Sequence, residues 1–129
     1  MIIYLAEPID SNKSVAEKSG LLWQKLADRG FTVFSPARAW CWSEDEDEGH
    51  QLWLANLEVL ERCDLLLIVP GEHSVGIWRE LQFTLERQKP VVIYDEGTSW
   101  ASHAALCDPH IRFATSLEHL ENILEELEG

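Results

Sequence analysis

Residues 64–81 read DLLLIVPGEHSVGIWREL: a continuous apolar run, a proline and a glycine, then a helical pattern. A strand that is apolar at every position is buried on both faces, the environment of a parallel sheet rather than of a half-solvated antiparallel one. Pro70 and Gly71 stop the strand, and Ile77, Leu81 and Leu85 then recur on one helical face, predicting a helix that reaches about Gln88. Strand, short turn and helix in that order form half of a βαβ unit.

The flanking sequence repeats this alternation. Residues 2–6, IIYLA, form a short β-type run stopped by Pro8. Ser14 and Glu17 have the spacing of a capping box ahead of Val15, Ser19, Leu22 and Leu26, which share one helical face, and Gly30 ends that helix. FTVFSP, residues 31–36, is a second strand closed by proline. The following ARAWCWSEDEDEGH has no period, and its acidic run reads as a mobile loop. Over residues 50–63, Leu52, Asn56, Val59, Leu60 and Cys63 line one helical face, with Asn56 its one polar member. PVVIY, residues 90–94, is the fourth strand, and a weak fifth lies around residues 111–114. Leu117, Leu120, Leu124 and Leu127 stripe a last helix that docks on the core or on a partner subunit.

The length of 129 residues suits one domain, residues 1–129. Strands alternating with helices predict an α/β fold: a doubly wound, five-stranded parallel sheet of order 2-1-3-4-5, flavodoxin-like or Rossmann-like, with helices on both faces. Such folds bind ligands at the carboxyl ends of the strands, near the reversal of strand order. Four loops meet that condition, at residues 7–10, 36–49, 71–76 and 95–99.

Composition narrows the partners. A formal net charge of −13 excludes non-specific binding to nucleic-acid polymers or anionic membranes, which needs clustered Lys and Arg. One small anion remains compatible, because backbone N–H groups at a helix start can hold it. No apolar stretch has the length of a membrane span and no basic leader opens the chain, so a cytoplasmic protein is expected. Cys41, Cys63 and Cys107 are odd in number and widely spaced, which argues against a disulfide framework or a zinc ribbon. His103, Cys107 and His110 lack the spacing of a metal motif, and neither a metal nor another cofactor is expected.

Ser74, Gly76 and Glu80 form S-x-G-x-x-x-E across the strand-to-helix turn. Gly76 permits close backbone approach, and the Ser74 hydroxyl with the first-turn N–H groups can cradle an anion. Glu80 is four residues past Gly76, on the same helical face and about one turn away, roughly the separation of a 5′-phosphate from C1′ in a nucleotide. A carboxylate there can attack an anomeric carbon and form a glycosyl-enzyme ester. An exposed Glu in an ordinary helical ion pair fits the spacing equally well.

The ordered segments IIYLAEP, GFTVFSP, WLANLEVLERCDLLLIV, SVGIWREL and QKPVVIY resemble the nucleoside 2-deoxyribosyltransferase superfamily over residues 2–94, and especially its phage and bacterial members of unassigned function. The S-x-G-x-x-x-E form is similar to the 2′-deoxynucleoside 5′-phosphate N-hydrolase and CMP hydrolase branch. That resemblance implies Glu80 as nucleophile, Ser74 and Gly76 as phosphate ligands, and Ala6, Glu7, Pro8 and Tyr4 around the first strand's end as further substrate contacts. It also implies subunits that associate, so a homodimer or larger assembly is expected. Two departures stand out: Asn56 replaces the family's usual Asp and can bond a sugar hydroxyl but not act as acid or base, and Glu7 occupies a loop that would meet a phosphate.

Trp40, Trp42 and Trp53 flank the acidic loop, where they either stack on a base or pack the loop and helix. Trp78 faces away from Gly76 and Glu80 and reads as packing or interface. The function expected is N-glycosidic cleavage of a nucleotide or nucleoside; the alternatives are deoxyribosyl transfer between bases and a non-catalytic nucleotide-binding module.

Overall fold

The computed structural model describes residues 1–7, 13–39, 46–69, 75–94 and 108–129. Its elements run β1 (Ile2–Ala6), α1 (Lys13–Asp28), β2 (Thr32–Phe34), α2 (Pro36–Ala39), α3 (Glu46–Arg62), β3 (Leu65–Ile68), α4 (Val75–Glu86), β4 (Val91–Tyr94), β5 (Ile111–Ala114) and α5 (Leu117–Glu128). The strands form one sheet of order β2-β1-β3-β4-β5, and every pairing is parallel. This is the doubly wound order expected, with the reversal between β1 and β3.

Side-chain alternation along the strands assigns the two faces. Ile3 and Leu5 of β1, Leu65 and Leu67 of β3 and Val92 of β4 bury against Leu22 and Leu26 of α1 and Leu120, Ile123 and Leu124 of α5. Tyr4 and Ala6, Leu66 and Ile68, and Val91 and Ile93 point the other way, onto Leu60 of α3 and Ile77 and Leu81 of α4. All four β3 residues are buried, as their unbroken apolarity requires. The leucine stripe of α5 is therefore occupied by the sheet: Leu120 and Leu124 are fully buried, and Leu117 and Leu127 pack at the edge of the same cluster.

Several boundaries differ from expectation. Helix α1 is described from Lys13 onward, so the backbone of Ser14 is already helical. Its far end closes as expected on Gly30, whose φ of 89° is the left-handed conformation a helix stop uses. Pro36 does more than stop β2: it opens α2, where a fixed φ and a missing N–H suit a first helical position. Helix α3 starts at Glu46, so Glu46, Asp47, Glu48 and Gly49, read from sequence as loop, are helical. Asp47 and Glu48 suit this, since acidic residues early in a helix are favoured by its dipole. Helix α4 stops at Glu86, and Gln88 turns the chain with φ 56°. Lys89 then reaches back, its Nζ donating to the carbonyls of Leu60, Glu61 and Cys63 at the end of α3.

Candidate active site

Glu80 leaves α4 toward the sheet, between Ile77 and Leu81, and is only 7% exposed. It is not a solvated helix residue. Burial pushes its carboxyl up to about 7, and the nearby Tyr4 phenol works weakly in the other direction. Tyr4 comes from β1 and is fully buried. Desolvation, followed by the charge of Glu80, raises the phenol far above its usual range and keeps it protonated. The two groups interact more loosely than a well-formed hydrogen bond: among the described residues neither Tyr4 Oη nor Glu80 Oε2 has a partner within bonding geometry. Buried polar atoms left in this state are uncommon in a settled core and typical of a site that meets something else.

Asn56 is buried, at 3% exposure, on the face of α3 that also carries Leu60, and thus on the same side of the sheet as Tyr4 and Glu80. Gly76 is the second residue of α4, one turn before Glu80, where helical N–H groups have no partner in their own helix. Ala6 ends β1 on that same face, and its carbonyl accepts from Val69 N–H at 2.9 Å. Ser74, Pro8, Trp40 and Trp42 lie outside the described residues.

Trp53 is half-buried on α3, and the Arg79 guanidinium sits over its ring, 4.6 Å from the centroid. One face of the indole is thus covered by a cation from α4. Trp78 is exposed, as its position beside the inward face of α4 predicts.

Glu7 follows β1 on the opposite side of the sheet and is also buried. Its carboxylate accepts hydrogen bonds from the hydroxyls of Ser19 and Ser35 and a two-point contact from Arg38, with Nε 3.1 Å from Oε1 and Nη2 3.3 Å from Oε2. Gly20 makes room for that guanidinium, because a Cβ there would lie 3.0 Å from Arg38 Nη2. The repulsion expected between Glu7 and a phosphate is thereby offset by a cation and two hydroxyls.

The sequence reading did not anticipate Ser35, Arg38 or Thr84 as polar partners. Thr84 is fully buried, and its Oγ1 donates to the Glu80 carbonyl at 2.7 Å. Its signal was present, a hydroxyl four residues past Glu80 on an apolar face. Cys63 is buried and its thiol is pushed up to about 11 by desolvation, the chemistry of a core residue. His110 Nδ1 lies 3.2 Å from Asp108, while His103 and Cys107 fall outside the described residues. Among the described residues no three metal-ligating side chains converge, and no helix is long and apolar enough to cross a membrane.

The fold recurs in solved structures. A 2-deoxyribosyltransferase from Bacillus psychrosaccharolyticus superposes with a TM-score of 0.64 at 24% identity, over 73% of this chain and 72% of that one. A conserved protein from Enterococcus faecalis V583 matches with a TM-score of 0.61 at 18% identity, over 99% and 97% of the two chains. The Clostridium botulinum CMP N-glycosidase BcmB matches with a TM-score of 0.59 at 12% identity, over 98% of each chain. At these identities the likeness establishes the fold, the one expected from the ordered motifs. No curated protein matches by sequence. Residues 3–96 match the family model described as a domain of unknown function, DUF1937, and the chain belongs to that family.

Proposed function

We propose that the protein is an enzyme that cleaves the N-glycosidic bond of a nucleoside 5′-monophosphate or nucleoside, with Glu80 as the nucleophile. The observation that carries this reading is the contrast between the two carboxylates buried among the described residues. Glu7 is matched by Arg38, Ser19 and Ser35, whereas Glu80, among the described residues, makes no ion pair and leaves Oε2 without a partner. An uncompensated carboxylate costs several kcal/mol of folding stability, roughly, and positions of that kind concentrate at functional sites.

In the proposed reaction a Glu80 oxygen forms a bond to C1′ as the C1′–N bond breaks. The base leaves with the electron pair and takes a proton from solvent. Water then attacks C1′ of the ester, releasing the sugar and returning the carboxylate. Tyr4 holds the carboxylate by donating its phenolic hydrogen, and Asn56 bonds a sugar hydroxyl. We assign phosphate binding to Ser74, Gly76 and the opening turn of α4, and further substrate contacts to Ala6 and Pro8. Solved neighbours named as a 2-deoxyribosyltransferase and a CMP N-glycosidase support this class of chemistry on this fold. The first of them makes a second base in place of water the alternative acceptor.

The same reading includes a cytoplasmic homo-oligomer. Leu54 and Trp78 project from α3 and α4 with roughly half of their surface exposed, and we assign them to self-association. Light scattering on wild type and a Leu54→Lys, Trp78→Lys double variant tests that assignment.

Activity is tested by incubating the chain with ribo- and deoxynucleoside monophosphates and nucleosides, with and without an acceptor base, and separating free base by chromatography. Release by wild type and none by Glu80→Gln is expected. Equal release by both removes Glu80 from the mechanism, and nucleotide binding without release leaves a binding module.

A further inference from the structure

We propose that Thr84 is a positioning residue for Glu80, setting through the backbone of α4 where the carboxylate stands relative to Tyr4; this rests on the reading of Glu80 as nucleophile. Thr84 is fully buried in the last turn of α4, where valine would keep the same branched volume. A buried hydroxyl costs stability unless bonded, and here its Oγ1 donates to Glu80 O at 2.7 Å. A threonine that bonds back to the carbonyl four residues earlier draws that carbonyl outward and bends the helix. In a helix of 12 residues, with the bonded carbonyl belonging to Glu80 itself, such a bend redirects the first turn and the Glu80 side chain together.

The side chain is poised so that a small redirection matters. Tyr4 Oη and Glu80 Oε2 are both buried and without a hydrogen-bond partner among the described residues, so where the carboxylate stands decides whether the two bond. Burial raises the ionisation of Glu80 and Tyr4 opposes it, and both influences depend on where the carboxyl lies. Cys63 bears on Tyr4 rather than on Glu80 directly.

The experiment uses the full chain with Thr84→Val, which keeps the branched volume and removes the hydroxyl, and Thr84→Ser, which keeps the hydroxyl. Three quantities are read: the Glu80 titration midpoint by carbon-13 NMR of labelled glutamate, assigned with Glu80→Gln; the kinetics of base release; and the thermal midpoint. Thr84→Val is expected to move the Glu80 midpoint by about half a unit and to lower kcat roughly three- to tenfold with little change in KM or thermal midpoint. Thr84→Ser restores the wild-type values. Superimposable titrations of wild type and Thr84→Val overturn the proposal, as does a loss that follows thermal stability and is not rescued by serine. Should wild type release no base from any substrate, the enzymatic reading fails, and the titration alone still decides whether Thr84 positions Glu80.

Discussion

Tyr4 of β1 and Glu80 of α4 meet inside the protein, both buried, with the phenol oxygen and one carboxylate oxygen left without a well-formed hydrogen bond. Burial in the same dry surroundings raises both groups, the charge of Glu80 raises the phenol further, and the phenol favours the Glu80 anion, so the carboxyl exchanges its proton near neutrality while the phenol keeps its own. A carboxyl poised near 7 is half ionised at physiological pH, which suits a nucleophile that must be charged to attack and is regenerated each cycle.

Removing the phenol in Tyr4→Phe takes away the one described group that favours Glu80 as an anion. The acid limb of the rate profile is then expected to move to higher pH. Base release at neutral pH falls several-fold, roughly, because less of Glu80 is ionised there. Folding stability holds or rises, because the hydroxyl removed has no well-formed bond to lose. A pH–rate profile beside a urea melt checks both halves.

Glu80 should also impose a pH dependence on stability. Its folded carboxyl titrates at about 7 against an ordinary value of 4.5, so the native state binds the proton more tightly than the unfolded chain. Its contribution is fully favourable below about 4.5 and is lost as pH rises through about 7. Glu80→Gln abolishes that loss: the variant is expected to be more stable than wild type by about 1–3 kcal/mol at alkaline pH, with no gain near the lower limit. Urea unfolding across pH 4 to 9, roughly the span of both titrations, measures it.

How far the chain could be read before its structure follows from which interactions are local. The unbroken apolarity of Leu65–Ile68 marks a strand buried on both faces, and Asn56 stands out as the polar member of an apolar helical face, whereas the burial of Glu80 did not show, because its spacing from Gly76 fits an exposed ion pair equally well. The start of α3 was not legible, because Glu46, Asp47 and Glu48 carry no apolar period and their helical preference comes from the helix dipole. Nor were the pairings of Glu7 with Arg38 or Tyr4 with Glu80, whose partners lie far apart in the chain and are brought together by strand order alone.

The end of α4 offers a stability gain away from the site. Gln88 adopts φ 56°, a conformation that costs a side-chain-bearing residue about 1–2 kcal/mol and glycine little. Glycine also loses about 0.5–1 kcal/mol more unfolded-chain entropy, so Gln88→Gly is expected to stabilise by about 0.5–1 kcal/mol, read as a higher urea midpoint at unchanged m-value.

Arg38 and Glu7 give the converse case, a buried charge whose partner is accessible. Arg38→Met leaves the Glu7 carboxylate with the Ser19 and Ser35 hydroxyls but without its cation. Breaking a fully buried pair costs about 3–5 kcal/mol, whereas an exposed pair is worth well under about 1 kcal/mol. Here the Arg38 side chain is 39% exposed and Glu7 only 4%, so an intermediate loss of about 1–2 kcal/mol is expected. Glu7→Gln keeps hydrogen-bonding capacity and releases Arg38 toward water, so it costs less. In the double variant the arginine substitution has no buried charge left to strand, and its cost is expected to shrink to a few tenths of a kcal/mol, roughly. Urea melts of the four proteins close the cycle; additive losses would show that Glu7 is held by the two serines alone and that Arg38 is a bystander.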